Sequence, residues 1–246
     1  MVIKKETTGG IIWHFRAFSN KRKWNITIDL ISNWLNDINP NSSELILIGA
    51  SAGWMIPTKW LVKFKKIIHV DIDPFAYPLF LINHNKLLKK NGTKILSIKQ
   101  DGILFLRNLI SIYPKAAVFF DNVLGQHIYR SNSIETTEKD LTKISLYLKD
   151  REWGSLHDMF SGPAESEKIK LCLSKEVFGI IDEKGLLIND KYGTDLNNKL
   201  VCQVGGKGEW MDHLTARVFP NGTKIKLILW PFFPNYAHWL QLGWVN

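Results

Sequence analysis

The sequence predicts an α/β domain, a doubly wound and mostly parallel seven-stranded sheet with helices on both faces and an antiparallel C-terminal hairpin. Between residues 44 and 121, short apolar runs alternate with helix-length segments, the pattern of repeated strand–helix units. The runs at 45–48, 67–70 and 116–120 are apolar nearly throughout rather than alternating, as strands covered on both faces must be. Two further strand-like runs, 224–230 and 236–244, are joined only by Pro231-Phe232-Phe233-Pro234-Asn235, a connection short enough to require antiparallel pairing.

In chain order, residues 1–43 read as an N-terminal helical extension. Within it Ile28, Ile31, Trp34, Leu35 and Ile38 recur with helical period and predict a helix over 27–35. Asn39-Pro40-Asn41-Ser42-Ser43 is a loop by composition. Strand one at 45–48 leads to a helix over 54–65 and strand two at 67–70. Asp73-Pro74 then supplies a capping carboxylate and a proline at the first helical position, and that helix stops at Asn91-Gly92. Strand three at 95–98, a helix over 103–112 and strand four at 116–120 complete the regular part. Helices are expected over 134–148 and 168–177, a loop over 153–163 and strand five at 186–188, before the hairpin. Residues 44–246 form one domain, with 150–185 as an insertion on the substrate side.

With 246 residues and 45% hydrophobic content, the chain can bury a full core. No apolar run approaches the roughly 20 residues of a membrane span. The charged start Met1-Val2-Ile3-Lys4-Lys5-Glu6 has no apolar stretch behind it, so a cytoplasmic location is expected. Cys172 and Cys202, the only cysteines, give no metal-ligand spacing, and no metal site is expected. The net charge of +9 permits a nucleic-acid partner without favouring one, because lysines are dispersed and the densest cluster is only Lys21-Arg22-Lys23.

Function is read at one rim. Asp71, Asp101 and Asp121 each fall at or just past the carboxyl end of an expected strand, where open α/β sheets bind ligands. Gly49-Ala50-Ser51-Ala52-Gly53 is a small-residue turn that lets the backbone approach a ligand, with a helix N-terminus expected behind it. A dinucleotide fingerprint starting at Gly49 needs Gly at 51 and Gly or Ala at 54, but the chain has Ser51 and Trp54. A phosphate-gripping loop needs Gly-Lys-Ser/Thr, which is missing here. What remains suits a cofactor that is neutral or cationic near the turn.

Leu47-Ile48-Gly49-Ala50-Ser51-Ala52-Gly53 followed by Val70-Asp71-Ile72-Asp73-Pro74 resembles the first two motifs of the class I, Rossmann-like S-adenosylmethionine-dependent methyltransferases. Gln100-Asp101-Gly102 and Phe119-Phe120-Asp121-Asn122-Val123-Leu124-Gly125 resemble the third and fourth, so the likeness covers about residues 44–125. It implies S-adenosyl-L-methionine as cofactor, with Gly49, Ala50, Ser51 and Gly53 forming the turn that holds its amino-acid part. It further implies Asp71 with Ile72 at the ribose, Asp101 with Gly102 at the adenine, and Asp121-Asn122 beside the methyl group. Ser51 stands where the family more often has glycine. The family's nucleobase-amine members carry a Pro-Pro-aromatic run where this chain has Asn122-Val123-Leu124, which argues against that acceptor class.

The expected activity is therefore methyl transfer to a small-molecule or protein acceptor. The alternatives are a cofactor-binding protein without catalysis, or an RNA methyltransferase or nucleic-acid-binding protein using the basic surface. Acceptors protonated at neutral pH also need a base. The candidates are Asp121, His127 and His157, with His213 behind them.

Overall fold

The computed structural model describes residues 10–131, 133–188 and 193–246. The chain start, Met1 to Glu6, lies outside them.

Helices α1 (Gly10–Asn20) and α2 (Asn25–Asp37) precede strand β1 (Glu44–Ile48). The chain continues through α3 (Thr58–Leu61), β2 (Lys66–Val70), α4 (Ala76–Lys90), β3 (Lys94–Ile98), α5 (Leu106–Ile112) and β4 (Ala117–Asp121). A 3-10 turn (His127–Tyr129) leads to α6 (Ile134–Tyr147) and β5 (Trp153–Pro163). The remainder is α7 (Ser166–Cys172), β6 (Val177–Asp182), β7 (Gly185–Leu187), α8 (Gly193–Val204), β8 (Met211–Asp212), β9 (Lys224–Phe233) and β10 (Tyr236–Val245).

These strands form one mixed sheet in the order β3-β2-β1-β4-β5-β10-β9-β6-β7, with β8 attached to β5. From β3 to β5 all pairings are parallel, and beyond β5 all are antiparallel. Alternate residues of β1 serve opposite cores: Leu45 and Leu47 face α1 to α4, while Ile46 and Ile48 face α5 to α8. Both faces are dry, which is why the strand is apolar at every position. Edge strand β3 is the exception, with Leu96 43% exposed.

The expected parallel core, two helical layers and reversed C-terminal hairpin are all present. Four details differ. The sheet has ten strands among the described residues rather than seven, because β5, β6 and β8 were not anticipated. It is parallel only across its first half. Residues 153–163, expected to be a loop, are the long central strand β5, buried from Trp153 to Gly162. The span 150–185 therefore includes part of the sheet itself. Its Gly, Ser and His content disguises a strand whose polar side chains bond to one another. Finally, the helix expected over 54–65 is the single turn α3. Pro57 disfavours helical backbone at the residue before it, and β2 begins at Lys66, soon after α3 ends at Leu61.

One consequence shapes the site. Asp121 at the end of β4 pairs with Leu156, so β5 runs on past the rim through Pro163. Tyr236 of β10 pairs with Pro163 and Phe233 of β9. The three strands form a wall beside the carboxyl ends of the parallel strands.

Candidate functional site

The chain leaves β1 toward β2 and β3 on one side and returns to β4 on the other, which makes the carboxyl end of β1 a topological switch point. The 49–53 turn lies there. Gly49, Ser51 and Gly53 all have positive φ (71°, 53° and 67°). Ser51 thus holds a left-handed conformation that favours glycine, at a cost of about 1 kcal/mol. A Cβ on Gly49 would lie 2.8 Å from the Val123 Cβ, so the turn packs directly on the loop after β4.

Side chains from β2 and α4 hold the turn's carbonyl oxygens. The Nε2 of His69 donates to Ser51 O (3.0 Å), the Asn83 amide to Ala52 O (2.8 Å) and the Nε2 of His84 to Gly53 O (3.2 Å). Thr58 Oγ1 meets the other nitrogen of His84 at 2.7 Å. Burial drives His84 down to about 4 and lowers His69, so both stay neutral donors. The Nδ1 of His69 is buried without a partner.

Asp71 connects the turn to β2. Its Oδ2 accepts from the Ser51 N–H (2.9 Å) and its Oδ1 from the Asp73 N–H (2.9 Å). Burial raises its pKa despite those bonds. A cleft of about 240 Å³ opens beside it, lined by His69, Asp73, Tyr77, Ser97 and Lys99 among others. Asp73 closes the turn leading into α4, its Oδ1 accepting from Phe75 N–H (2.9 Å), and regular helix begins at Ala76 rather than Pro74. Its Oδ2 accepts from the Gly10 N–H (2.7 Å) and the Nε2 of His14 (3.1 Å). The indole of Trp13 donates to Ser51 Oγ at 3.2 Å. Helix α1 is therefore fastened across the turn and the second acid.

Asp101 holds the start of the next helical turn, its Oδ1 accepting from the Ile103 and Leu104 N–H groups. Its Oδ2 forms an ion pair with Arg130, which follows the 3-10 turn. Gly102 lies directly against Ile48, where a side chain has no room. Ile72 is half exposed at the rim. Asp121 closes β4; burial first, and the Asp71 charge second, push its pKa up to about 8.

Asn122, also left-handed (φ 55°), braces β5. Its Oδ1 accepts from Asp158 N–H (2.9 Å) and its amide donates to Asp158 Oδ2 (3.1 Å).

His127 and His157 are held by other partners. The His127 Nε2 lies 3.2 Å from Asp140 of α6. His157 is fully buried on the opposite face of β5, between Ser155 Oγ (2.8 Å) and Gln241 Oε1 (2.8 Å) and against Phe219. Burial lowers its pKa to about 4.

Sequence reasoning did not assign Trp13, His14, His69, Asn83, His84, Arg130 or His238 to this arrangement. Of these, only His69 carried a signal, a polar side chain inside an apolar strand. Asp158, His213 and His238 place potential ligand atoms within 4.8 Å of one another.

No family model matches the chain. No curated protein sequence matches it either. Among solved structures it is similar to magnesium protoporphyrin IX methyltransferase from Synechocystis PCC 6803 with bound SAM, at 12% identity over 98% of this chain and 88% of that one, TM-score 0.42. It is also similar to the methyltransferase domain of bacterial CtHen1 (9% identity, 92% and 100% covered, TM-score 0.40). A putative RNA methyltransferase from Pyrococcus horikoshii gives 11% identity, 93% and 100% coverage and a TM-score of 0.36. These likenesses are distant, and the functional reading is drawn from the rim itself.

Proposed function

We propose that the chain is a class I S-adenosylmethionine-dependent methyltransferase acting on a small-molecule or protein acceptor. The observation that carries this reading is the Asp71–Ser51 bond. It joins an acid at the end of β2, which lines the cleft, to a left-handed small-residue turn at the switch point.

The residues present suit such a cofactor. Asp71 uses one lone pair on each oxygen for backbone amides and keeps acceptor capacity for two ribose hydroxyls. The turn has no lysine and only a four-residue helix behind it, so it does not favour a phosphate. Asp71, Asp73 and Asp101 place carboxylates at the rim, which suits a sulfonium, while Asp121 is held protonated at neutral pH by burial. Asp101 meets an incoming adenine amine only beside or in place of Arg130, since its other oxygen is held by two amides. When bound, the cofactor supplies a methyl group for in-line displacement, and the protein contributes mainly position and field.

No helix among the described residues is long and apolar enough to cross a membrane. Calorimetry with S-adenosylmethionine and S-adenosylhomocysteine tests the cofactor. Radiolabelled cofactor with fractionated lysate then identifies the acceptor. Saturable binding of both ligands is expected; no heat with either would refute the reading.

A further inference from the structure

The wall of β5, β9 and β10 carries a polar cluster that the cofactor reading does not use. Asp158 of β5 is completely buried, and His238 of β10 is 6% exposed. The Nδ1–H of His238 donates to Asp158 Oδ1 at 2.8 Å. Asp158 Oδ2 accepts from Gln126 (2.7 Å) and Asn122 (3.1 Å). Burial alone would raise the Asp158 pKa, but the charge and hydrogen bond of His238, the charge of His213 and the Asn122 amide together bring it to about 2. The carboxylate is thus ionised, satisfied and fixed. With Nδ1 committed as donor to Asp158, the Nε2 of His238 is buried without a partner.

The surroundings are aromatic. Phe232, Trp230 and Tyr236 place their rings 4.7, 5.2 and 5.5 Å from the His238 ring. Phe232 and Tyr236 are partly exposed, so they are the rings an entering molecule would displace. Asn122 connects this cluster to the loop beside Asp121, one residue from the expected methyl position.

We propose that Asp158–His238 is the proton-accepting dyad of an acceptor site, and that the acceptor is a flat, aromatic molecule bearing an ionisable O–H or N–H. This rests on the methyltransferase reading. The Nε2 of His238 accepts the proton of the acceptor's O–H or N–H as that atom bonds to the methyl carbon. The S–CH₃ bond breaks with its electron pair on sulfur, leaving a neutral thioether, and the imidazolium later returns its proton to water. Asp158 holds the tautomer and stabilises the imidazolium, as carboxylate–histidine pairs do. The groups facing His238 are Asp158 from β5, His213 from the segment after β8 and Tyr236 of its own strand, with Arg16 of α1 above Phe232. His213 is committed elsewhere, its Nδ1–H donating to Gly125 O (2.7 Å) and its Nε2 2.9 Å from Ser161 Oγ.

The Asp158, His213 and His238 geometry also invites a metal. Against that, Asp158 already accepts three side-chain donors, which an ion would have to displace.

The test has two arms on the full chain. Long-range ¹H–¹⁵N spectra of the histidine rings, compared between wild type and His238→Gln, assign the His238 tautomer without any cofactor. A protonated Nδ1 and unprotonated Nε2 at neutral pH is expected; the opposite tautomer overturns the proposal, and if His238→Gln does not fold the wild-type spectrum alone still decides. In the second arm, label transfer from radiolabelled cofactor to the lysate fraction that wild type methylates is measured as a pH profile. His238→Gln should lose roughly a hundredfold or more in rate, with cofactor affinity unchanged and the basic-group limb of the wild-type profile absent. Unchanged rate and profile overturn the proposal. Zinc titration of dialysed protein should show no tight site; one zinc per chain, lost in His238→Gln, also overturns it. If wild type binds no cofactor, the methyltransferase reading fails, and the tautomer result separates that failure from a failure of the dyad.

Discussion

Replacing Asp71 separates its proposed cofactor role from its structural one. In Asp71→Asn the side chain keeps one carbonyl oxygen, so one of the Ser51 and Asp73 N–H groups retains its acceptor and the other faces an amide NH₂. Leaving one backbone donor poorly paired costs about 1–3 kcal/mol. A domain of this size has about 5–15 kcal/mol in hand, so the variant should fold with a lower Tm. Cofactor affinity should fall further. Each ribose hydroxyl bonded to a carboxylate is worth about 1.5–3 kcal/mol, and about 1.4 kcal/mol is tenfold in Kd. Loss of one such bond gives at least about tenfold weakening, and loss of both about a hundredfold or more. Calorimetry with S-adenosylhomocysteine, alongside urea unfolding of the same samples, reads both quantities. A folded Asp71→Asn with wild-type Kd would show that Asp71 serves only the turn.

Other perturbations follow from the same geometry. Gly49→Ala combines a φ of 71° with a Cβ 2.8 Å from Val123, and should destabilise by about 1–3 kcal/mol in urea unfolding; wild-type stability would mean the β1 and β4 loops are not packed as described. His84 and His157 have folded pKa values lowered from 6.5 to about 4, so the unfolded chain binds more protons in that window. Stability is therefore full above pH 6.5 and is lost as pH falls toward 4; His157→Gln should flatten the Tm profile there, and an unchanged slope would count against a neutral buried ring. Asp121 is the reverse case: its pKa is raised from 3.8 to about 8, so its contribution is lost as pH rises through that range. Asp121→Asn should gain at least about 1 kcal/mol near pH 8 while impairing cofactor binding, and a loss of stability would refute the assigned burial.

What was legible in the sequence is what short-range pattern encodes. The first four strands, the Asp73 turn and the C-terminal hairpin follow from local periodicity and turn chemistry, and the rim acids follow from where those strands end. Strand β5 was hidden because its polar residues are satisfied by partners distant in sequence: His157 by Gln241, Asp158 by His238, Ser161 by His213. An unpaired reading of Ser, His, Asp and Gly there gives a loop. The shortened α3 was readable in principle from Pro57, but the apolar spacing around it masked the break. The partners of the candidate bases were hidden for the same long-range reason. His157 and His127 are near Asp158 and Asp121 in sequence, yet pleating and a 3-10 turn send them elsewhere, while His238 reaches Asp158 across a strand pair.

The most direct measurement is a ¹H–¹⁵N titration of the full chain with S-adenosylhomocysteine. Saturable shifts confined to the Gly49–Gly53 amides, Asp71, Ile72 and the Asp101-Gly102 pair, abolished in Asp71→Ala, are the predicted result. No shifts, or shifts centred away from the carboxyl ends of β1 to β4, would contradict the account.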